Sequence, residues 1–132
     1  MMYMLDTNIC IYIIKSKPKN VIEKFRTFRP SDICMSSVTF AELEYGVAKS
    51  RAIERNRDAL AMFVAPLEIL PFEGTAAEAY GSIRAELETS GQVIGSMDML
   101  IAAHAIAVNA VLVTNNVKEF ERVKGLRVEN WV

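Results

Sequence analysis

Four positions far apart in the chain are the residues able to do chemistry together: Asp6, Glu42, Asp98 and Asn116. Asp98 lies in MDMLIAAHAIAV (Met97–Val108), where ten of twelve side chains are apolar. A helix that is apolar on every side is normally buried, and an unpaired carboxylate in such a place is costly. Each of the four also has a plain structural role open to it. Asp6, in LDTN, suits the cap of a following helix, and Glu42 completes a T-x-x-E capping box with Thr39. Asp98 can complement a helix dipole, worth about 0.3–1 kcal/mol at an exposed end, while Asn115 and Asn116 are turn formers. What these separate roles leave unexplained is a shared location.

That location follows from the elements. Met2–Leu5 reads as a strand, with a short helix from Thr7 and another from Pro18, a favoured first-turn residue. Ile33–Ser36 is a second strand, followed by the helix holding Thr39 and Glu42. Arg51–Val64 is helical, Leu67–Leu70 a strand, and Gly74–Thr89 a helix stopped by Gly91. Ser96 is the expected cap of the helix carrying Asp98. Val111–Val113 is a strand, Val117–Glu121 a short helix and Leu126–Glu129 an edge strand. Brief, continuously apolar strands separated by helices mark a parallel sheet covered on both faces. The expected fold is therefore an α/β three-layer α/β/α sandwich with a short central parallel sheet, residues 1–132 forming one domain.

In such a sheet the helix N-termini and strand C-termini share one edge, where ligands bind. Asp6 follows the first strand, Glu42 lies in the opening turns of its helix, Asp98 in the first turn of its own, and Asn115–Asn116 after Val113. Glu42 shares its helix face with Val38, Ala41 and Tyr45, so that face is otherwise apolar. Gathered carboxylates repel one another and lose solvation. They become tolerable by sharing a proton or by holding a divalent cation. Oxygen ligands select Mg²⁺ or Mn²⁺ over zinc, which prefers His and Cys. A cation so held activates water and stabilises charge on a phosphodiester, so the expected reaction class is metal-dependent phosphoryl hydrolysis.

Other features carry less. The single histidine, His104, lies six residues beyond Asp98, about 240° around a helix, and is expected in the core or an interface. Cys10 and Cys34 form no CxxC or Cys/His cluster and are expected as buried reduced thiols. No dinucleotide, Walker, nucleophile-elbow or HExxH motif occurs. No apolar run reaches the roughly 18 residues of a membrane span, and the opening lacks a basic n-region, so a cytoplasmic location is expected. The net charge of −1 divides unevenly: residues 1–57 carry ten Lys/Arg against six Asp/Glu, and residues 58–132 five against ten. The basic clusters at Lys15–Arg29 and Lys49–Arg57 can grip phosphates, although a charge run is usually a solvated helix face. Tyr45, Phe63 and Trp131 are candidates for a subunit contact or for the core.

The segments YMLDTNICIY, SSVTFAELEYGVAKS, GQVIGSMDMLIAAHA and LVTNNVKEFERVKGLRVENW resemble the VapC toxins, PIN-domain ribonucleases of bacterial toxin–antitoxin pairs. The resemblance runs from end to end, with four ordered motifs. It implies an α/β sandwich with an acidic Mg²⁺ site in which Mn²⁺ can substitute. The first, second and third family acids fall on Asp6, Glu42 and Asp98. The first and third are the principal metal ligands, and the second assists directly or through water. Many PIN domains have a fourth acid in a T-x-D pattern; here Asn116 occupies that place without charge, and Glu119 is a nearby acidic candidate. The resemblance further implies endoribonuclease action on tRNA, with initiator tRNA cut in the anticodon region, and a homodimer. It also implies a VapB-type antitoxin partner through which any DNA contact is made. Two other readings stay open from the residues alone. One is a non-catalytic module whose acidic pocket binds a partner's arginine. The other is an aspartyl-nucleophile phosphatase, whose D-x-D motif is not met by Asp6-Thr7-Asn8.

Overall fold

Short apolar runs become stable strands when they pair with neighbours and are covered on both faces. The computed structural model, which describes all 132 residues, meets that requirement with five strands. These are β1 (Tyr3–Leu5), β2 (Ile33–Ser36), β3 (Glu68–Leu70), β4 (Val111–Val113) and β5 (Val128–Glu129). Their order is β3-β2-β1-β4-β5, and every pair is parallel. The register sets Tyr3 opposite both Ile33 and Val111, so the central strands end at one level.

Alternation along the strands builds two cores. Met4, Cys34 and Leu112 face one side, where they pack with Ile83, Leu87, Ile101 and Phe120. Leu5, Met35 and Val113 face the other, against Ile9, Leu43, Leu60 and Trp131. Burying each such aliphatic or aromatic side chain stabilises by about 1.5–3 kcal/mol. The helices that supply these partners are α1 (Thr7–Ile14), α2 (Lys19–Arg26), α3 (Ser37–Ala48), α4 (Ile53–Val64), α5 (Gly74–Thr89), α6 (Ser96–Ala107) and α7 (Val117–Phe120). Helix α6 is buried from Ile101 through Ala105, as its apolar circumference requires.

The chain visits β1, β2 and β3 in one direction, then α5 and α6 carry it back to β4 on the other side of β1. The order of winding thus reverses between β1 and β4. Such a switch point opens a crevice at the strand C-termini, and Asp6 and Thr114 are the first residues beyond those two strands.

Several local expectations need correction. Helix α3 begins at Ser37, and its cap is Ser36, whose hydroxyl accepts from Val38 N at 3.0 Å. Thr39 and Glu42 therefore form no capping box: the helix starts two residues before the predicted cap, and the Glu42 side chain is free for another partner. Gly95, not Ser96, holds the cap position of α6. Pro18 precedes α2 as its cap residue and is not its first turn. Three helices end in the same left-handed turn, at Ser16 (φ 58), Gly91 (φ 69) and Asn109 (φ 57). Only the glycine was legible as a stop, because Gly alone adopts that conformation without a Cβ penalty.

Candidate active site

Asp6 is 5% exposed, and both of its oxygens are engaged. Oδ1 accepts the Ile9 N–H at 3.0 Å, capping α1, and Oδ2 accepts the Thr114 hydroxyl. The helix cap and the site therefore use the same carboxylate. Thr114 Oγ1 in turn accepts from Asn116 N at 3.0 Å, which fixes the chain leaving β4 against the chain leaving β1. On the other flank the Thr7 hydroxyl donates to Glu42 Oε1 at 2.6 Å, so α1 positions the acid of α3.

Asp98 is half-buried in the first turn of α6, and Glu119 of α7 is the charge acting on it most strongly. Asn116 Nδ2 donates to Glu119 Oε2 at 2.9 Å. Asn116 thus contributes a donor that orients Glu119. The predicted fourth-acid position is neutral, and the negative charge comes from the residue one turn further on. Sequence reasoning ranked Glu119 low and missed Thr7 and Thr114 altogether. A hydroxyl beside a carboxylate carries no periodic signal.

Electrostatics tie these groups into one site. Burial pushes the Asp98 carboxyl up to about 6, helped by the charge and hydrogen bond of Glu119 and then by the charges of Asp6 and Glu42. Asp6 is also raised, first by burial and then by Glu42. The Thr114 hydroxyl and the Ile9 N–H partly oppose that rise by bonding the charged form. Four carboxylates from four segments therefore feel one another at one sheet edge.

The donor set is oxygen throughout: carboxylates, two threonine hydroxyls and an amide. Both cysteines are free and buried. His104 is 1% exposed, and its Nδ1 lies 2.7 Å from the capping hydroxyl of Ser36. Burial lowers its pKa, so the ring is a neutral strut between α6 and the start of α3. A hard divalent cation fits this chemistry. No three acidic, histidine or cysteine side chains stand close enough to ligate one ion directly. Mg²⁺ commonly takes only one or two carboxylates and keeps its waters.

Of the aromatic contact candidates, Trp131 is buried and stacks on Phe28 with centroids 5.2 Å apart. Phe63 packs near Phe25. Tyr45 is 65% exposed, with the Lys49 ammonium over its ring.

The sequence and fold have counterparts among known proteins. The PIN domain family matches residues 3–126. Ribonuclease VapC2 of Rickettsia felis is 48% identical over 132 residues, covering 99% of this chain and 98% of the relative. The tRNA(fMet)-specific endonuclease VapC of Shigella flexneri is 47% identical over 129 residues, with 98% and 97% covered. The fold superposes on the crystal structure of VapBC2 from Rickettsia felis bound to a DNA fragment from its promoter, with a TM-score of 0.94, 46% identity and full coverage of both chains. Ribonucleases built on this domain generally depend on a divalent metal. On sequence, fold and the acids at the switch point, the chain belongs to the PIN-domain family, among its VapC ribonucleases.

Proposed function

We propose that the protein is the toxin of a toxin–antitoxin pair, an endoribonuclease that cuts tRNA with Mg²⁺, for which Mn²⁺ substitutes. Asp6 and Asp98 hold the metal, Glu42 positions it or the attacking water, and Asn116 orients the site through Glu119. The observation that carries this reading is geometric: at the β1/β4 switch point Thr114 binds the Asp6 carboxylate and the Asn116 backbone, Asn116 binds Glu119, and Thr7 holds Glu42 alongside. When bound, the cation would activate water and stabilise charge on the phosphodiester. The chain's own residues do the rest. Thr114 keeps the Asp6 carboxylate turned to the edge, Thr7 does the same for Glu42, and Asp98 binds a proton more readily than an ordinary carboxylate.

Relatives named tRNA(fMet)-specific endonuclease support initiator tRNA as the substrate, and the family resemblance points to its anticodon region. Specific RNA recognition favours loops with splayed bases. Solved VapBC neighbours, two of them bound to DNA, support a VapB-type antitoxin as partner, with DNA reached through it. A homodimer and a cytoplasmic setting complete the proposal; no helix is long and apolar enough to cross a membrane.

The direct assay incubates antitoxin-free protein with tRNA. Cutting should appear with Mg²⁺ or Mn²⁺ and vanish with EDTA. Intact tRNA under every metal condition would leave a binding module as the better account.

A further inference from the structure

The acidic site presents a difficulty for its own substrate. Four carboxylates at one edge repel RNA phosphates, so cations nearby must hold the strand there. The basic cluster beginning at Lys15 and the amide of Asn115 are the two features that the site itself does not use, and the fold brings them together.

Helix α1 ends in a turn that places Lys15 and Lys17 side by side. Ser16 N bonds Ile13 O and Lys17 N bonds Tyr12 O, each at 3.0 Å, with Ser16 left-handed. A groove of about 370 Å³ runs past Tyr12, Lys15 and Lys17. A second, of about 540 Å³, shares both lysines and adds Arg55 from α4. A third, of about 330 Å³, shares Lys15 and runs to Glu42 of the acidic site. None of the three cations is engaged in an ion pair. Tyr12 is anchored from the site itself: its hydroxyl accepts from Asn115 Nδ2 at 3.0 Å, next to the Thr114 that holds Asp6. That bond leaves the phenolic proton free to donate to a ligand in the groove. Along α1, Lys15 lies about 12 Å from Thr7, within reach of phosphates flanking a bond cut at the acids.

We infer that Tyr12, Lys15, Lys17 and Arg55 form a phosphate track that holds the RNA strand beside the cleaved bond. The inference rests on the RNA-cleaving reading of the acidic site. A single strand fits because the cations line open, linked grooves that continue to the acids, where a polyanion needs compensating charge. Tyr12 contributes a neutral donor, and the lysines and arginine contribute the salt-dependent part.

The test compares the parent with K15Q/K17Q/R55Q and with Tyr12→Phe, using tRNA at several salt concentrations. The triple variant should raise KM about tenfold near physiological salt while kcat stays within about twofold. Its log(kcat/KM) should fall less steeply with log salt, by about 2 in slope, since each single-strand phosphate contact contributes about 0.7. Tyr12→Phe should raise KM about threefold and leave the slope unchanged, because it removes one donor and no charge. Binding of an RNA oligonucleotide without metal is measured in parallel. It separates the two readings: a parent that binds RNA through these cations but cuts nothing keeps the track and sinks the nuclease. Unchanged KM, slope and RNA binding in the triple variant would overturn the track. So would a triple variant that binds RNA normally and loses only the antitoxin, which would assign the cations to a protein partner.

Discussion

Replacing Asp98 by asparagine should lower RNA cleavage about a thousandfold and, at neutral pH, raise the melting temperature of the metal-free protein by a few degrees. The first effect follows from charge. A metal-bound site supplies several kcal/mol of transition-state stabilisation, and each 1.36 kcal/mol is a factor of ten in rate. An amide cannot replace a carboxylate as an anionic ligand. The second effect follows from the same charge without metal. Asp98 sits among Glu119, Asp6 and Glu42, and burial with their repulsion holds its carboxyl near 6. Asparagine keeps the shape and removes the repulsion, the usual trade of stability against activity at a functional site. Because Asp98 is only half-buried, solvent screens part of the gain. Kinetics of tRNA cleavage and melting by calorimetry read the two effects on one preparation. A variant that loses activity because it is unfolded would contradict the account, as would one that cuts like the parent.

Cleavage should also fall steeply below about pH 6, by about fiftyfold between pH 6 and pH 4 at fixed, subsaturating metal. A carboxyl must lose its proton to serve as a ligand, and Asp98 holds its proton to about 6. Each pH unit below that value removes about nine-tenths of the competent form. Raising the metal concentration should move the inflection to lower pH, because cation and proton compete for one group.

The sign for stability runs the opposite way. The folded pKa of Asp98 lies above its ordinary 3.8, so between about 4 and 6 the native state binds more protons than the unfolded chain. The stability contributed by that proton is present below about 4 and lost as pH rises through about 6. His104 opposes this trend, since burial lowers its pKa and protonation below its ordinary 6.5 disfavours the fold. The clean comparison is therefore parent against Asp98→Asn: the gain in melting temperature should be present at pH 7.5, fall to about a third of that at pH 4.5 and nearly vanish by about pH 3. A pH-independent gain would remove repulsion as its cause.

The fold was legible in the sequence because its signals are periodic. Strands β1 and β4 are continuous apolar runs, β2 and β3 depart from one by a single polar residue at one end, and the helices between them differ in period and carry recognisable stops such as Gly91. The strand order was not legible, yet it decides the site: the reversal between β1 and β4 places Asp6 beside Thr114. Among the site residues, Asp98 stood out by being a charge in an apolar helix. Glu42 was legible as an acid on an apolar face, but its predicted capping partner was wrong, because Ser36 supplies that cap and Thr7 takes the carboxylate. Glu119 was hidden in a short polar segment, where nothing distinguishes it from a solvated acid until α7 sets it against Asp98. Asp6 showed that two readings need not compete, since one oxygen caps the helix and the other faces Thr114.

The most direct measurement is anomalous X-ray scattering from crystals of the antitoxin-free protein grown with Mn²⁺. A manganese peak in contact with the Asp6 and Asp98 carboxylates, absent from crystals of Asp98→Asn, is the result this account predicts. Manganese bound only elsewhere, or none at these two residues in the parent, would contradict it.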